Sequence, residues 1–144
     1  MATLAGLNET GNAYTITITD KTVDSTALNE LDAKTTVAVD ASAVTILTGT
    51  AAAANTAYAS SGISGLANEA ITLEDTTLAA SVLNTLDGNT TGSINATTVT
   101  TLTGTAADAN TAYASGGITG LGNEAVTLSD TTLAASVLNT LDGN

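Results

Sequence analysis

The chain has 144 residues and a net charge of −12, with no Cys, His, Trp or Phe and only Lys21 and Lys34 as basic side chains. That balance excludes a nucleic-acid surface, which needs Lys and Arg to displace counterions from phosphate, and an anionic membrane surface for the same reason. Without His, Cys or Arg, the usual nucleophile–base pairs and Arg-stabilised transition states are out of reach, so a non-enzymatic protein is expected.

In chain order, MATLAGLNETG has neither the basic region nor the apolar stretch of a secretory signal. LAGL (4–7) echoes ISGL (63–66) and ITGL (118–121), and residues 1–13 are expected to form an N-terminal cap. TITIT (15–19) alternates with the strand period of two, as do AITLE (70–74) and AVTLS (125–129). TTVAVD (35–40) and the weaker GSINA (92–96) read as further strands. DTTLAASVLNTLDG (75–88) reads as a helix. Asp75 is its expected N-cap, Leu78, Val82, Leu83 and Leu86 its inward face, and Gly88 its stop. TAADANTAYAS (105–115) reads as a thinner helix, with Thr105 as N-cap and Ala109, Ala112 and Tyr113 inward. No apolar run is long enough to span a membrane.

These elements recur. DTTLAASVLNTLDGN occupies 75–89 and again 130–144, an offset of 55 residues. The same offset lays 48–72 on 103–127 with five differences, and 16–32 on 71–87 more loosely. The divisions that follow are repeat 1 over 14–68, repeat 2 over 69–123 and a partial repeat 3 over 124–144, all within one domain. The expected fold is an α/β solenoid in which each 55-residue repeat makes two strand-helix turns, with one parallel sheet on one face and short helices on the other. Ile18, Val39, Leu73, Ile94 and Leu128 are the expected inward column of that sheet. A right-handed parallel β-helix is the alternative, favoured by TVTTLTGT (98–105) and the many Thr, whereas the Ala- and Leu-rich segments favour helices.

The segments VTLSDTTLAASVLNTLDG (126–143) and TTLTGTAADANTAYASGGITGLGNEA (100–125) resemble the Thr/Ala/Asp-rich tandem repeats of giant secreted or cell-surface proteins of cyanobacteria and other bacteria. The resemblance covers nearly the whole chain from about residue 14. It implies an excerpt from a longer array, an extracellular or surface location, and no catalytic motif.

Asp20, Asp75 and Asp130 recur at strand-to-helix junctions. As a site they are the weak metal candidates, for Ca²⁺; as structure they are repeated helix caps. LDGNTTG (86–92) lacks the further acids and closing Glu of a calcium loop. Asn29, Asn84 and Asn139, with Asn55 and Asn110, invite a sugar-binding reading, but stacked Asn side chains commonly satisfy backbone groups from turn to turn. Outward Thr pairs suggest ice binding, but Ala38, Asp40 and Glu74 interrupt the row. No catalytic residue and no obligatory cofactor is expected. The expected function is an adhesin-like spacer or stalk segment, with neighbouring repeats of the same chain as partners and weak end-to-end self-association. The competing function is a module that binds glycan, Ca²⁺ or ice on its sheet face.

Overall fold

In the computed structural model, which describes residues 11–144, short strands alternate with short helices. In order these are β1 (Thr22–Asp24), α1 (Ser25–Asp32), β2 (Val39–Asp40), β3 (Ile46–Gly49), α2 (Ala51–Ala59), β4 (Ile63–Ser64), β5 (Ala70–Leu73) and β6 (Thr77–Ala79). They continue as α3 (Ala80–Asn89), β7 (Ile94–Asn95), β8 (Thr101–Gly104), α4 (Ala106–Ala114), β9 (Ile118–Thr119), β10 (Ala125–Leu128) and α5 (Ala135–Asp142). The architecture is therefore α/β with parallel strands, and the five helices among the described residues rule out the all-β alternative. Most of the expected cap at 1–13, including LAGL, lies outside the described residues.

The strands form three parallel sheets rather than the single one expected: β1-β3-β5-β7-β9, β10-β8-β6, and β2-β4. Register advances by a constant step. Thr22 pairs with Ile46, Ile46 with Ala70, Thr77 with Thr101 and Val39 with Ile63, each 24 residues apart. A step of this length holds a strand, a short helix and the return, the minimum for a parallel crossover. β5 joins two sheets: one edge bonds β3 and the other bonds β7. After it the chain turns at Glu74–Thr76 and begins β6, the first strand of a new sheet.

The expected column is corrected accordingly. Leu73 pairs with Gly49, Leu128 with Gly104, and Val39 with Ile63, while Ile18 lies beside β2 outside any named strand. The column that does cross one sheet is Val23, Leu47, Ile71, Ile94 and Ile118. Only Ile94 is common to both. Matching apolar residues by spacing suggested alternating steps of 21 and 34 residues, whereas backbone hydrogen bonds impose an even step and place the surplus in the β5–β6 turn.

Helix boundaries follow local chemistry. At TGT (48–50 and 103–105) the chain turns from strand into helix through Gly49 and Gly104, at φ of +115° and +133°, a region open to glycine. The next residue is the cap: Thr50 and Thr105 each accept from the third helical N–H, as expected for Thr105. The helix expected at 75–88 begins later, at Ala80, because Thr77–Ala79 is drawn into β6 beside β8. It also runs past Gly88 to Asn89, so Gly88 is not its stop. TITIT makes a single bridge, Thr17 to Asp40, rather than a strand.

Each helix packs on the next in sequence, α1 on α2 through to α4 on α5. Two helix types alternate. α1 and α3 bury Leu28 and Leu31, and Leu83 and Leu86. α2 and α4 bury Ala51, Ala54 and Ala57, and Ala106, Ala109 and Ala112. Large side chains thus face small ones, which fills space without aromatic residues. Val82 and Tyr113, expected inward, are only partly buried.

Candidate functional site

The sequence candidates lie at the junctions between layers, and the structure shows what they hold. Asp75 Oδ2 accepts from the Ala51 N–H at 2.8 Å, and Asp130 Oδ2 from the Ala106 N–H at 2.8 Å. Each therefore caps the helix of the preceding layer, not the one that follows it as expected. The reason is the intervening strand segment: five residues separate Asp75 from Ala80, too far for an N-cap. α2 and α4 gain two acceptors at their N-termini, Thr for the third N–H and Asp from the next layer for the first. These donors have no partner within their own helix. α4 adds Asp108, whose carboxylate accepts from Thr105 Oγ1 in the favourable first turn. Asp20, at the matching position in repeat 1, lies ahead of β1. No three acidic side chains among the described residues converge on a point where a metal ion would sit.

The asparagines form a chain of contacts between helices. Asn29, Asn55, Asn84 and Asn110 are each the fifth residue of their helix, and each Nδ2 donates to the carbonyl of the third residue of the next. The acceptors are Ala53, Val82, Asp108 and Val137, at 2.9, 3.0, 3.0 and 3.3 Å. A helical carbonyl has a second lone pair after its own ladder bond, so the contact adds to the helix without disturbing it. Asn89 Nδ2 donates in turn to Asn55 Oδ1, and Asn144 to Asn110 Oδ1. The expected role for Asn, joining turn to turn, is what these side chains perform, but on helix rather than loop carbonyls.

Two further sets escaped the sequence reading. Asp32 Oδ2 accepts from Ser60 Oγ at 2.6 Å, and Asp87 Oδ2 from Ser115 Oγ at 2.7 Å, so the end of a leucine-type helix holds the end of the following alanine-type helix. Gly62 and Gly117 make room for these carboxylates: a Cβ would lie 2.0 and 2.3 Å from the Asp32 and Asp87 Oδ1 atoms. Second, Tyr58 donates to Glu69 Oε2 at 2.9 Å, and Tyr113 to Glu124. Burial raises both phenols well above the ordinary Tyr range, and the neighbouring carboxylates add to this. Burial also opposes ionisation of Glu124, but the Tyr113 hydroxyl and the Gly122 and Asn123 N–H groups outweigh it and hold the carboxyl below its ordinary value. The recurring eleven-residue Tyr-to-Glu spacing was the available signal. Each pair ties the end of an alanine-type helix to the strand after it.

The sheet face was the expected ligand surface. Across the five-stranded sheet one row runs Asp24, Thr48, Thr72, Asn95 and Thr119. Asp24 and Asn95 break any Thr lattice, and Asp24 Oδ1 is engaged as the α1 N-cap on Ala27.

No protein-family profile, curated protein or solved structure matches the chain. No helix among the described residues is long and apolar enough to cross a membrane.

Proposed function

We propose that this chain is a non-enzymatic structural segment: a solenoid of 55-residue repeats that serves as a spacer or stalk in a long secreted or cell-surface bacterial protein. The observation that carries the reading is the even 24-residue step, in which the same Asn-to-carbonyl bond passes from α1 to α2 and again from α3 to α4. In such an array each layer contacts its neighbours, so length and stability grow with copy number. The polar side chains at the junctions bind backbone and neighbouring side chains, which is the work of a scaffold. The charge of −12 keeps separate molecules apart and favours solubility.

The experiment is an insertion. A second copy of residues 69–123 adds two helical layers, and small-angle scattering should show the maximum dimension growing by roughly 18 Å, at about 9 Å per packed helix. Growth of only a few Å, as for a sphere of added volume, rejects the solenoid. Calorimetric titration with Ca²⁺ and a glycan panel should give no saturable heat; saturable heat makes the sheet face a ligand-binding module instead.

A further inference from the structure

The identical segments 75–89 and 130–144 differ in what covers them. In the first, Leu78 is 5% exposed and Leu83 is fully buried; in the second, Leu133 is 37% and Leu138 48% exposed. The cover over the first is residues 101–115. β8 pairs with β6, setting Leu102 beside Leu78. α4 packs on α3 and buries Ala106, Ala109 and Ala112. Asn84 reaches the Asp108 carbonyl and Asp87 takes the Ser115 hydroxyl. On the second segment the matching groups are Thr132 to Ala134, which lie outside any strand, and Asn139 and Asp142, which are exposed.

We propose that the surface formed by α5 and residues 131–134 is a docking site for one further layer of the alanine type, built like residues 101–115 and attached directly behind Asn144, as 90–115 follows Asn89. The inference rests on the layered reading above. Three observations select the occupant. First, the same fifteen residues already bind such a layer within this molecule. Second, α5 is a leucine-type helix, and leucine-type helices are followed by alanine-type ones, α1 by α2 and α3 by α4. A leucine-type layer placed there sets large side chains against large ones and overpacks the contact. Third, the two known layers of this type carry almost no charge: 46–60 has no ionisable acid or base and 101–115 has Asp108 alone. Such a layer approaches a strongly acidic protein without like-charge repulsion, which a whole second copy at −12 does not.

The test is to extend the full chain behind Asn144 with a second copy of residues 90–117 and follow amide hydrogen exchange in α5. Exchange at 135–142 should slow by on the order of tenfold or more, towards the rates of α3. Leu138→Glu should restore fast exchange in the extended chain. In the original chain it should leave α1 to α4 unchanged, because Leu138 is 48% exposed there. Extension by a second copy of 69–89, a leucine-type layer, should leave α5 fast. The proposal is overturned if the alanine-type extension does not slow α5, or if the leucine-type extension slows it equally. Equal exchange of α3 and α5 in the unextended chain has a different meaning: it removes the layered reading itself.

Discussion

Residues 75–89 and 130–144 are the same fifteen amino acids in two settings. Both form a helix at the same place, starting at Ala80 and at Ala135, and neither helix has a side-chain N-cap. Ahead of the helix they differ: Thr77–Ala79 is a strand, whereas Thr132–Ala134, the same three residues, is not. The helix closes its own hydrogen bonds and so follows the local sequence. A strand needs a partner, and only the first copy has β8 beside it. Burial follows the same division: Leu83 is covered by the α4 layer, and Leu138 lies open.

The largest effect that tests this contrast is a pair of truncations. Leu83→Ala should cost about 2–5 kcal/mol, the range for a buried leucine whose cavity stays open. Leu138→Ala should cost less than about 1 kcal/mol, as for an exposed position. Urea denaturation of both variants measures the difference. Equal losses would mean that the two settings are not energetically distinct.

A second pair should be alike, which sharpens the comparison. Asp75 and Asp130 face backward, each onto the alanine-type helix of the preceding layer. Asp75→Ala and Asp130→Ala should therefore each cost about 1 kcal/mol, the usual loss of a helix cap. The second copy is thus open on one side and engaged on the other. An effect at Asp75 alone, read from denaturant midpoints, would contradict the hydrogen bond at Asp130.

The smallest effect concerns acid. Glu124, in the turn before β10, is held below its ordinary value. A carboxyl whose folded value is depressed contributes stability above its unfolded value and loses it as pH falls through the folded one. The wild-type melting temperature should therefore drop more steeply than that of Glu124→Gln as pH falls from about 5 to about 3. Parallel curves would show that the Tyr113–Glu124 contact adds no pH-dependent stability.

Much of the candidate site was legible because it repeats. Asn29, Asn84 and Asn139 stand out at one offset, as do Asp75 and Asp130, and their roles as backbone partners follow from the side-chain chemistry of Asn and Asp. Which backbone they serve was not legible. Asp75 sits just ahead of a helical sequence, and a local reading assigns it to that helix; its true partner is Ala51, 24 residues earlier. Asp32 and Ser60 carry no local signal of their contact, which spans 28 residues. Ser25 illustrates the opposite case. It takes the place of Ala80 and Ala135 in the other leucine-type helices, and its hydroxyl is buried with no hydrogen-bond partner.

By itself, the sequence determined the 55-residue period, the two helix types, the Thr50 and Thr105 caps and the absence of nucleophile chemistry, because these depend on residue identity and on contacts within one helical turn. Only the tertiary structure decided the 24-residue register, the division into three sheets at β5 and the different burial of Leu83 and Leu138. Those depend on which backbone lies alongside. Parallel strands find their partners through hydrogen bonds between segments far apart in the chain, and two stretches with identical letters become different structures when only one of them has a neighbour.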